Sequence, residues 1–123
     1  MMKYLFLSAL LPLILPDLTG TYSRKKKYRD NDNDYQVIWT LKLEKDSSYT
    51  LNTEHIGGSV FTIVQSPGNG KWTVNGDTLK LITAPTGKLR RFLVREKILV
   101  ALDEPRYPTS IIPAPPLDTL ELQ

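Results

Sequence analysis

The sequence predicts an all-β protein, an antiparallel up-and-down meander of about seven or eight strands. Past Gly20 the apolar residues recur with a period of two. Val37, Trp39, Leu41 and Leu43 alternate with Gln36, Ile38, Thr40, Lys42 and Glu44. Strand side chains point alternately to opposite faces, so this pattern makes one dry and one wet face. Turn chemistry separates the runs, at Lys45-Asp46-Ser47, Gly57-Gly58, Asn75-Gly76 and Ala84 to Gly87. No stretch beyond the first segment carries the 3.6-residue period of an amphipathic helix.

In chain order, Met1-Met2-Lys3 and the apolar run from Tyr4 to Pro16 have the cation-then-apolar layout of a secretory leader. The run is shorter than the roughly 20 residues a bilayer-spanning helix needs, so no transmembrane span is expected. Residues 1–18 are read as the leader, with no clean small-x-small cleavage tripeptide; 19–103 are read as the β domain. The tail from Glu104 to Gln123 holds five prolines, which disfavour regular structure, although its Ile111-Ile112 and Leu117 to Leu122 could dock on the domain.

Two hairpins agree with their face patterns. A three-residue loop at Lys45-Asp46-Ser47 pairs Leu43 with Tyr49, Leu41 with Leu51 and Trp39 with Thr53. A turn centred on Asn75-Gly76 pairs Val74 with Asp77 and Trp72 with Leu79, with Lys71 opposite Lys80. A tight turn at Gly57-Gly58 places Val60 and Val64 inward and leaves an outward stripe of Ile38, Phe61 and Ile63, unless the turn is longer. Ser66 to Gly70 reads as a loop or bulged corner. A last hairpin runs through Phe92-Leu93-Val94, turns near Arg95-Glu96 and returns from Ile98 to Leu102. WTVNGDTLKL from Trp72 echoes in FLVREKILVA from Phe92, the same hairpin grammar used twice.

Composition closes several chemistries. The chain has 123 residues, 41% hydrophobic and 24% charged, the profile of one soluble domain. With no Cys there is no disulfide scaffold, thiolate metal site, Cys nucleophile or lipid-bearing Cys. His55 is the one histidine, so a Ser-His-Asp arrangement and a multi-histidine metal site are not expected. Glu44, Glu54, Glu96 and Asp103 are scattered over wet faces and turns, and the chain is read as non-enzymatic with no cofactor. Asp30, Asp32 and Asp34 have the alternate spacing that opens a calcium loop. Tyr35 and Leu41 stand where such a loop needs Gly and Glu, so a solvated hairpin tip is the stronger reading. Arg24 to Arg29 and Lys88 to Lys97 are cation-rich. With a net charge of only +3 they mark wet strand faces, not a nucleic-acid site.

The pieces Gly20-Thr21-Tyr22, TLKLEKDSSYTL, GKWTVNGDTLKL and FLVREKILVALDE resemble the small exported lipocalin-like domains of bacteria, including the copper-resistance and envelope-stress lipoprotein type. The resemblance covers residues 20 to about 103 and implies a small barrel, closed or half-open. The chain lacks the lipobox Cys and the Cys-x-x-Cys of that lipoprotein type, so neither copper handling nor lipid anchoring carries over. An exported, periplasmic or extracellular domain is therefore expected. It would bind a small apolar ligand or an envelope protein against Tyr22, Trp39, Tyr49, Trp72 and Phe92. The alternative is a protein-interaction or inhibitor module using the outer stripe or the Pro-rich tail.

Overall fold

The computed structural model describes residues 17–30, 32–57, 62–103 and 115–123, with only the backbone of 62–67. Among the described residues eight strands follow in order: β1 (Gly20–Asp30), β2 (Asn33–Leu43), β3 (Ser48–Gly57), β4 (Thr62–Asn75), β5 (Thr78–Thr83), β6 (Leu89–Arg95), β7 (Ile98–Ala101) and β8 (Thr119–Leu122). Each pairs antiparallel with the next, and β8 returns to β1, so the meander closes into a barrel. Closure gives the strands of the short half a ladder partner on both sides, while the upper parts of β1 and β4 keep one strand neighbour. Among the described residues no helix is long and apolar enough to cross a membrane.

The Lys45-Asp46-Ser47 hairpin has the predicted register, with Leu43 on Tyr49, Leu41 on Leu51 and Trp39 on Thr53. Ser47 takes φ 69 and the Glu44 N–H donates to the Ser48 carbonyl at 2.9 Å, which closes the three-residue loop. The Asn75 hairpin departs from its prediction by one turn position. Asn75 pairs with Thr78, Val74 with Leu79 and Trp72 with Leu81, so the turn is Gly76-Asp77. Only Gly76, at φ 64, takes positive φ there, which suits a turn with glycine first. The slip shifts partners by two residues and keeps every side chain on its face. Lys71 consequently faces Ile82 instead of Lys80.

The Gly57-Gly58 turn is longer than two residues: Gly57 pairs with Thr62 and His55 with Val64. Phe61 and Val60 lie outside the described residues, and Ile63 pairs with Ile56. Ser66 to Gly70 is not a loop. It continues β4, with Thr53 on Ser66 and Leu51 on Gly68. Pro67 is tolerated because β5 accompanies β4 only from Gly70 onward, leaving the upper part of β4 with one strand neighbour.

The core is one cluster. Leu41, Leu79, Leu81, Phe92 and Leu120 are fully enclosed, and Trp72 and Val74 pack against them half-buried. The register carries Trp39 and Trp72 on the same, inward face. Two contributions come from outside the predicted domain. Leu18 is 4% exposed and its carbonyl accepts the Tyr22 hydroxyl at 3.0 Å, so it packs into the core just ahead of β1. Leu117 and Leu120 are buried from the predicted tail, whose last strand supplies the closing ladder. Proline disfavours helix and central strand but leaves the segment after Pro116 free to pair.

Candidate functional site

Strand length positions the site. β1 to β4 run 10 to 14 residues, whereas β5 to β8 run 4 to 7. The long wall therefore stands above the short one, and the interior opens sideways where β4 parts from β5. A mouth of about 240 Å³ lies there, lined by Tyr49, Leu51, Thr53, Gly68, Thr83, Lys88 and Arg90. Reading inward parity back along β4 from Val74 and Trp72 gives Gly70 and Gly68. Two successive inward positions thus carry no side chain.

Gly70 is needed for a different reason from Gly68. A Cβ at Gly70 would collide with the Ile82 carbonyl and the Tyr49 ring, whereas one at Gly68 would meet only the Leu51 carbonyl at 3.7 Å. The Tyr49 ring crosses over Gly70, and its hydroxyl hydrogen-bonds Thr83 Oγ1 at 3.0 Å, linking β3 to β5 beneath the mouth. Leu51 and the Tyr49 ring make an apolar floor. Thr53, Thr83, Lys88 and the inward-facing Arg90, opposite Leu81, add hydroxyls and positive charge. Such a site can hold an anionic group against a small apolar surface.

Of the five aromatic residues predicted to contact ligand, Tyr49 alone lines this mouth. Tyr22, Trp39 and Phe92 are packed into the core at 2%, 5% and 0% exposure. Trp72 is half-buried at the opposite end, its Nε1 donating to the Glu44 carbonyl at 3.0 Å. Leu51, Thr53, Gly68, Thr83, Lys88 and Arg90 were missed. The signal was present: extending the Trp72 alternation through the apparent loop exposes the gap at Gly68 and Gly70.

The raised wall has its own cluster. Tyr28 stacks on Tyr35 at 5.2 Å, and the Tyr28 hydroxyl hydrogen-bonds His55 Nδ1 at 3.1 Å. Burial holds the His55 pKa below the ordinary 6.5. The unfolded chain therefore takes up this proton more readily, and the penalty is absent above that value and grows as pH falls below it. Lowering pH from 7.5 to 5 is expected to reduce the thermal midpoint of the wild type more than that of His55→Gln, as read by circular dichroism; equal losses would contradict this coupling.

Alternate cations on β1 are only partly a wet face. Lys25, Lys27 and Arg29 point out, but Arg24 and Lys26 share the inward face. Lys26 Nζ donates to Asp118 at 2.7 Å and to the Pro116 carbonyl at 3.4 Å, tying the last segment to the long wall. Burial pushes the Asp118 carboxyl up, but the hydrogen bonds from Lys26 and the Thr119 N–H, with the Lys26 and Arg24 charges, outweigh it and hold its pKa low.

The aspartate run is a hairpin tip. Asp30 pairs with Asn33, Asp32 turns at φ 62, and Asp34 faces Arg29 at 3.8 Å. No group of three or more His, Cys, Asp or Glu suited to a metal ion occurs among the described residues.

The geometry defines a class first: a closed, eight-stranded up-and-down β-barrel with a side mouth. Its family follows from comparison. The model of the NlpE N-terminal domain matches residues 35–110, more than half of the chain, and the protein belongs to that family. Comparison with the curated proteins and with the solved structures found no match.

Proposed function

We propose that the protein is an exported, envelope-associated, non-enzymatic binding domain that takes a small anionic molecule with a short apolar part into the mouth between β3 and β6. The carrying observation is the gap at Gly68, which leaves Leu51 and the Tyr49 ring as the floor of a mouth beside Lys88 and Arg90. Membership of the NlpE N-terminal domain family supports an envelope setting. The eight-stranded meander supports lipocalin-like use, since such barrels bind at their mouths. At about 240 Å³ the mouth is smaller than typical drug-sized pockets, so it accepts a compact molecule or one end of a longer one. Non-enzymatic use is supported by the dispersal of the carboxylates: Asp103 is engaged by Arg91 at 2.8 Å, and Glu44 lies 3.5 Å from Lys42.

Native mass spectrometry of protein purified from its own envelope tests the reading. The wild type is expected to carry a bound small molecule that is lost in Gly68→Leu, whose inward side chain fills the mouth, and in Lys88→Glu. A bare wild-type mass, or equal retention by both folded variants, overturns it.

A further inference from the structure

The outer face of the short wall carries an apolar patch that the barrel does not use. Ile82 and Leu89 are cross-strand partners at 42% and 46% exposure, and Leu102, at 45%, lies beside Arg91 on the next strand. Leu93 and Val100 pair on the same outward face, and Ile98, at 40% exposure, extends it. Outward residues of a soluble sheet are normally polar, and a contiguous apolar patch on one marks an interaction surface.

The charges around the patch say what covers it. Lys71 stands opposite Ile82 on β4, and Lys80 stands opposite both Thr73 and Arg91. The nearby carboxylate of Asp103 is committed to Arg91 by bonds of 2.8 to 3.3 Å. Around Ile82 and Leu89 the patch is therefore an apolar centre with an ammonium border, while at its far end Glu121 stands opposite Ile98. An anionic bilayer surface has the complementary order, with negative headgroups around accessible acyl chains, and basic residues near it are attracted individually.

We propose that this face, centred on Ile82, Leu89 and Leu102 and bordered by Lys71 and Lys80, docks the barrel on an anionic phospholipid surface. Docking there leaves the raised wall of β1 to β4 away from the bilayer. It is independent of the ligand reading of the mouth.

Cosedimentation with vesicles of phosphatidylglycerol and phosphatidylethanolamine tests it, with phosphatidylcholine vesicles as the neutral comparison. Binding is expected on the anionic vesicles, weakened by salt. The double variants Ile82→Ser/Leu89→Ser and Lys71→Glu/Lys80→Glu are each expected to lower the partition coefficient about tenfold or more. All four positions face outward, so circular dichroism should show folded barrels, and the charge pair still decides the matter if the apolar pair misfolds. Lys25→Glu/Lys27→Glu, which removes the same charge from the opposite wall, should bind as the wild type does. No binding to anionic vesicles, equal binding to neutral ones, or an equal loss in the Lys25/Lys27 variant overturns the proposal.

Discussion

Deleting Thr119–Gln123 is expected to unfold the barrel. The deletion removes β8, so β1 at Tyr22-Ser23 and β7 at Ile98 to Val100 lose their ladder partners together. Two unpaired edges then face each other across an open seam, which invites pairing with other chains. The same cut removes Leu120, which is fully enclosed beside Leu99. Losing a buried leucine alone costs about 2–5 kcal/mol, against a total of about 5–15 for a domain. The shortened chain should show no cooperative thermal transition and should elute as aggregate in size-exclusion chromatography. Leu120→Ala, which keeps the ladder, should remain a folded monomer with a lowered midpoint. A truncated chain melting within a few degrees of the full one would remove β8 from the account.

Gly70→Ala should be strongly destabilising. Its Cβ meets the Ile82 carbonyl, which is backbone held in the β4–β5 ladder, and the edge of the Tyr49 ring. Neither can retreat cheaply, because the ring is anchored through its hydroxyl to Thr83. Relief requires parting β4 from β5 where the mouth begins, and overpacking of this kind costs about 1–3 kcal/mol or more. Gly68→Ala, two residues earlier on the same face, should be near neutral because its Cβ finds ordinary contact distance. Urea midpoints of the two variants are the comparison. Equal midpoints would show that the glycines are interchangeable and that the backbone approach at Gly70 is not what shapes the strand.

The two hairpins show how far a local pattern reaches. At Ser47 the loop length and the alternation on both sides specify one register, and the observed pairs are the predicted ones. At Asn75 two adjacent turn placements keep the same inward face, so alternation cannot choose between them; the conformation of Gly76 does. At Gly57 the flanking valines likewise satisfy a short or a long turn. Parity survives the slip at Asn75, which is why the faces there were right where the partners were not.

The strand order, the all-β character and the shared dry face of Trp39 and Trp72 were determined by the sequence alone, because period-two alternation and turn residues are local properties. Tertiary structure decided the rest. Leu18, Leu117 and Leu120 join the core from segments whose own composition reads as leader and tail, since a barrel must fill its ends and close its seam with whatever chain is at hand. The mouth, too, exists only in three dimensions: it lies where a long wall outruns a short one and where two glycines happen to face inward. A missing side chain has no pattern of its own until its neighbours are placed around it.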